Sequence, residues 1–171
     1  MADFASRLFP RVHTIELDPV LAERAAARFA SVPHVSVHPG DSGHVLRDLL
    51  PAIEGPCLFW LDGHYSGGIT ARGETDTPIR AELDAIAASG LRPVAILIDD
   101  VRVFGTDDAY PTIEEVIARV RAIDRDVSIG VTADVLWATP VRILRFEWQV
   151  APGGGVVLPT TAPRLRAPAL R

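Results

Sequence analysis

The sequence predicts an α/β domain built on a doubly wound, mostly parallel sheet. Two short and almost wholly apolar runs, Cys57 to Leu61 and Val94 to Ile98, have the composition of strands covered on both faces. Helical patterns alternate with strand-like runs along the chain, and right-handed crossovers between parallel strands then place helices on both sides of the sheet. Several of the strand-like runs are followed by acids, at Glu16, Asp41, Asp62, Asp99 and Asp100. In open α/β sheets ligands gather beyond the carboxyl ends of the strands, so these acids are expected to converge on one rim.

Taken in order, Arg11 to Glu16 reads as a short strand. Asp18-Pro19 supplies an N-cap and a first helical residue, after which Leu21, Ala25 and Phe29 recur at helical period. Val35 to Val37 is the next strand, and Asp41-Ser42 caps a helix whose Val45, Leu46, Leu49 and Leu50 share a face until Pro51 stops it. After the strand Cys57 to Leu61, a helix is expected from about Thr77-Pro78 to Gly90, then the strand Val94 to Ile98 and a helix from Thr112 to Ile123. Val127 to Val131 and Val141 to Trp148 read as a closing antiparallel pair with Thr139-Pro140 near a turn. Residues 1–150 are expected to form one domain. Beyond Ala151 a glycine triplet and four prolines leave no periodicity, and residues 151–171 read as a flexible tail.

Composition excludes several functions. The chain has 171 residues, 48% of them hydrophobic, enough for one real core. A net charge of -5 without a Lys/Arg block argues against gripping nucleic acid, and no apolar run approaches a membrane span. The N-terminus has no signal-peptide pattern, so a cytoplasmic location is the default expectation. Cys57 is the single cysteine, which excludes an internal disulfide and a cysteine-rich zinc site.

The chemistry concentrates at the strand ends. Carboxylates raise one another's pKa unless a positive group joins them, and a hard divalent cation does so naturally. Asp62, Asp99 and Asp100 on neighbouring strands would give Mg²⁺ (or Mn²⁺) part of an oxygen shell, although any one of these aspartates alone reads more simply as a loop or helix cap. His64, two residues past Asp62, has two readings: a base for a metal-bound hydroxyl, or a residue that holds its loop through a carboxylate. Gly67 and Gly68 let that loop turn, and Thr70 to Asp76 read as a lid or a substrate rim. Glu16 at a strand end suits the two hydroxyls of a ribose, or is simply a solvated acid.

The order of Val12-His-Thr-Ile-Glu-Leu-Asp-Pro19, Pro39-Gly-Asp-Ser42, Phe59-Trp-Leu-Asp-Gly-His-Tyr65 and Ile96-Leu-Ile-Asp-Asp100 resembles class I S-adenosylmethionine-dependent methyltransferases. It looks most like the metal-dependent small-molecule O-methyltransferases of the catechol and macrolide-sugar types, over about Ala2 to Trp148. The resemblance implies a Rossmann-like fold, S-adenosylmethionine as cofactor, Mg²⁺ or Mn²⁺ at Asp62, Asp99 and Asp100, and a small-molecule hydroxyl as acceptor. By the same resemblance Glu16 holds the ribose, Leu17 lies against adenine, Asp41 and Ser42 meet the adenine edge, and His64 falls near the base. No nucleic acid or membrane partner is implied, and a homo-oligomer is compatible with it.

The family's opening strand and glycine-rich turn have no counterpart here, while Asp3 to Phe9 match the helix that should follow them. The chain thus reads as starting one strand late. The absent strand would lie between the strands ending at Glu16 and Leu61, leaving these roughly 10 Å apart, two strand spacings. Three outcomes are open: a truncated reading of a longer protein, which is the expectation, a sheet that closes over the gap, or a gap filled by another chain. The competing functions are a catalytically silent binding or interaction module and, from the same carboxylates, a metal-dependent hydrolase.

Overall fold

The computed structural model describes residues 1–62, 77–106, 108–141, 149–150 and 156–157. The architecture is mixed α/β, with two parallel strand pairs and an antiparallel hairpin added to one of them.

The first unit comprises helix α1 (Ala2–Leu8), strand β1 (Val12–Glu16), helix α2 (Pro19–Phe29) and strand β2 (Val35–Pro39). Strands β1 and β2 pair in parallel, from Val12 opposite Val35 to Glu16 opposite Pro39. Asp18 caps α2 as expected, accepting from the backbone N–H of Val20 at 2.8 Å and of Leu21 at 2.9 Å. Side chains alternate across a strand, so Val12 and Ile15 leave β1 on opposite faces. Val12 packs with Phe29 and Val35 in a small cluster that α1 joins through Ala2 and Ala5. Ile15 packs instead against the main core.

That core is built on a four-stranded sheet. After helix α3 (Ser42–Leu49) and a 3-10 turn at Leu50–Ala52 come strand β3 (Leu58–Leu61), helix α4 (Ile79–Ser89), strand β4 (Ala95–Ile98) and helix α5 (Ile113–Ile123). Strands β5 (Val127–Thr132) and β6 (Val135–Pro140) complete a sheet of order β3-β4-β6-β5. Strands β3 and β4 are parallel, whereas β6 is antiparallel to both β4 and β5. Ile96, Ile98, Leu136 and Ala138 are buried on one face in the same cluster as Leu46 of α3, Leu83 and Ile86 of α4, and Val116 and Val120 of α5. Thr112 caps α5 and Gly90 closes α4 with φ +72, the left-handed conformation that glycine adopts freely.

The structure departs from the sequence expectation in three places. The antiparallel partner of the strand at Val127 is Val135–Pro140, not Val141–Trp148, and residues 142–148 lie outside the described ones. The reversal is a two-residue turn at Ala133 and Asp134, both with positive φ (49 and 69), the type I′ geometry whose twist suits a hairpin. Thr139 and Pro140 fall inside β6 rather than at a turn. Pro140 is tolerated there because it lies past Ala138, the last β6 residue paired with β4 in that direction. Second, the residue before α4 in N-cap position is Pro78 rather than Thr77, although Thr77 Oγ1 still accepts from Ile79 N at 3.4 Å.

The third departure concerns the sheet itself. Among the described residues strand β1 pairs only with β2 and strand β3 only with β4, so two separate sheets replace a single continuous one. The sheet does not close over the gap: a cleft of about 620 Å³ lies between β1 and β3, lined along the full length of both strands. Beyond the expected domain boundary, Val156–Val157 pair with Gln149–Val150 in a short antiparallel ladder, while the rest of residues 151–171 lie outside the described ones.

Candidate functional site

Parallel pairing of Leu61 with Ile98 brings the residues that follow β3 and β4 side by side, and Asp99 N donates to Leu61 O at 3.0 Å. Asp62, Asp99 and Asp100 therefore line one small pocket, together with Thr77, Glu82 and Tyr110. Its free volume, about 10 Å³, is on the scale of a single water or small ion. Asp99 Oδ1 accepts from Asp100 N at 2.8 Å, and Asp100 itself is buried and left-handed at φ 59, a conformation that aspartate adopts more readily than most residues.

The tightest carboxylate group among the described residues is Asp99, Asp100 and Asp134, whose ligand-type oxygens lie within 4.8 Å of one another. Asp62 shares the pocket with Asp99 and Asp100 but stands outside this group. Asp134 arrives from the β5–β6 turn, where its carbonyl accepts from Val101 N at 3.0 Å and its carboxylate from Arg102 N at 2.9 Å. The Arg102 guanidinium pairs with both Asp100 and Asp134. An arginine thus already joins two of these three carboxylates, which accounts for their proximity without an ion.

Below the pocket sits Glu82, which is 3% exposed. It belongs to the apolar face of α4 with Ile79, Leu83 and Ile86, and residues at these spacings share one side of a helix. Ser42 Oγ donates to Glu82 Oε1 at 2.5 Å, whereas Glu82 Oε2 has no hydrogen-bond partner among the described residues. Burial pushes its carboxyl up to about 7, against the Ser42 hydrogen bond, and Asp41 and Asp62 push it further in the same direction. Glu82 feels both Asp41, which follows β2, and Asp62, which follows β3. The carboxyl ends of the two parallel pairs therefore meet over the first turn of α4. The close approach of α3 to α4 depends on Gly43, where an added Cβ would lie 2.7 Å from Ala81 Cβ.

The residues expected around a nucleoside have structural partners. Glu16 Oε1 accepts from Asp18 N at 3.0 Å and so shapes the turn between β1 and α2, in which Leu17 is half-buried. Asp41 is the N-cap of α3 and accepts from His44 N at 3.2 Å, and Ser42 is committed to Glu82. Glu16 and Ser42 also line the cleft beside β1. His64, Gly67, Gly68 and Thr70 to Asp76 lie outside the described residues.

No protein-family model and no curated protein matches the chain. The functional reading therefore stands on residues and geometry. Two residues escaped the sequence reading. Glu82 carried a visible signal, an acid inside an apolar helical stripe, whereas Asp134 became a neighbour of Asp100 only through a turn that has neither glycine nor asparagine. Among the described residues no helix is long and apolar enough to cross a membrane.

Proposed function

We propose that the chain carries the metal and cofactor site of a Rossmann-like, S-adenosylmethionine-dependent O-methyltransferase acting on a small-molecule hydroxyl in the cytoplasm. The observation that carries this reading is the convergence of Asp62, Asp99 and Asp100 on one ion-sized pocket, with Glu16 and Asp41 at the ends of the neighbouring parallel pair. The donor set fits Mg²⁺: hard carboxylate oxygens with room for one small ion. Asp62, Asp99 and Asp100 would hold it, and Glu16 would accept from the cofactor ribose.

When bound, the ion lowers the pKa of an adjacent hydroxyl and the cofactor supplies the methyl group. Glu82, keeping its proton up to about pH 7, lets Ser42 and the rim acids stand close with less buried charge than an ordinary carboxylate would add. In this reading His64 takes the acceptor's proton. Calorimetric titration of S-adenosylmethionine, with Mg²⁺ and with EDTA, tests it: saturable binding that Glu16→Ala weakens by at least about tenfold is expected, and absence of binding by the wild-type chain overturns it. The arginine that bridges Asp100 and Asp134 favours a second reading, a catalytically silent binding module, for which methyl transfer by the chain would be disqualifying.

A further inference from the structure

The cleft between β1 and β3 has the features of an open place in a sheet. In a parallel ladder, alternate residues turn both backbone groups to the same neighbour. Val12 N donates to His34 O and Glu16 O accepts from Gly40 N, so Val12, Thr14 and Glu16 face β2, and the backbone groups of His13 and Ile15 turn the other way. On β3, Cys57 O accepts from Val94 N and Leu61 O from Asp99 N, so Leu58 and Trp60 turn theirs away from β4. Both outward rows border the same cleft. Open strand edges are templates for a further strand.

Side chains agree with the backbone. Among the described residues the buried side-chain atoms without a hydrogen-bond partner are His13 Nε2, Trp60 Nε1 and Glu82 Oε2, and all three residues line this cleft. Ala2 and Ala5 of α1 and Leu46 and Leu50 of the α3 region line it as well. Alpha1 packs with the Val12 face of β1 and the α3 region with the Ile15 face, so an inserted strand would be covered on both sides and should be apolar throughout. Its carboxyl end would emerge between Glu16 and Asp62, where a basic residue is favoured.

We propose that this cleft receives an extended apolar strand of about five residues from a partner polypeptide, bonded to β1 and β3 at once and followed by a basic residue. The length matches the five residues of β1. The strand site is argued from the two open edges, so loss of methyl transfer leaves it standing, while the basic residue would share Glu16 and Asp62 with the proposed cofactor and metal.

The probe is a fluorescein-labelled peptide of about five alternating valines and isoleucines followed by two lysines, titrated into the full chain by anisotropy and followed by amide hydrogen exchange. Saturable binding is expected, with slowed exchange at His13, Ile15, Leu58 and Trp60. Proline at alternate apolar positions, which removes the N–H groups for one edge, should weaken it at least tenfold, and glutamates in place of the lysines should weaken it measurably. Ala5→Trp, on a helix with no buried residues, should block binding while the circular dichroism spectrum is unchanged. Equal binding of the proline peptide, protection at β5 instead, or no binding overturns the proposal. So does protection of those four amides in the chain alone together with a dimeric mass, which would make a second copy the occupant.

Discussion

Replacing Glu82 by glutamine isolates the energetic consequence of an acid in the apolar stripe of α4. The folded chain holds the Glu82 proton to about pH 7, whereas an unfolded carboxyl releases it near its ordinary value of 4.5. Between those two values the native state binds a proton that the unfolded state has lost, so stability falls as pH rises. The Glu82 contribution is fully present below about 4.5 and is lost as pH passes through about 7. The interval corresponds to about 3 kcal/mol. Glutamine cannot ionise, and its carbonyl still accepts from Ser42 Oγ. Urea unfolding followed by tryptophan fluorescence, at pH 5 and pH 8 in EDTA, should show Glu82→Gln gaining on the wild type by about 2–3 kcal/mol between the two conditions, because part of the effect is already spent at pH 5. An unchanged difference between variant and wild type at the two pH values would refute the assignment of a buried, protonated Glu82.

Other substitutions probe the scaffold around the site. Gly43→Ala should force α3 from α4, weakening the Ser42–Glu82 hydrogen bond and lowering stability by about 1–3 kcal/mol in urea unfolding. Gly130→Ala places a Cβ 2.4 Å from Trp137 Cζ2 across the β5–β6 pair, so a similar loss is expected, together with a shifted tryptophan emission. Arg102→Ala leaves Asp100 and Asp134 without their shared cation and should lower Tm, by an amount that shrinks when molar salt screens the acids. Burial, His38 and Arg11 all hold His13 below the ordinary histidine value of 6.5, so its ring resonances should titrate below that value in an NMR pH series.

Local chemistry was legible wherever a residue acts on its own neighbours. Asp18, Asp41 and Thr112 cap the helices they precede, and the apolar runs at Leu58–Leu61 and Ala95–Ile98 form the parallel pair. The closing hairpin was misplaced because Ala133-Asp134 lacks the glycine that usually marks a two-residue turn, while Thr139-Pro140 has turn composition but sits at a strand end. The candidate site was legible as to Asp62, Asp99 and Asp100, since strand ends are a sequence property. Its deeper part was not. Glu82 meets Ser42 across 40 residues, and Asp134 meets Arg102 across 32, through packing that no local pattern encodes.

Calorimetric titration of Mg²⁺ into the wild-type chain and into Asp62→Asn, Asp99→Asn and Asp134→Asn tests the central claim most directly. The account predicts one ion bound by the wild type, a loss of at least about tenfold in affinity for Asp62→Asn and Asp99→Asn, and near-wild-type affinity for Asp134→Asn. No binding by the wild type, or binding that survives Asp62→Asn and fails in Asp134→Asn, would contradict it.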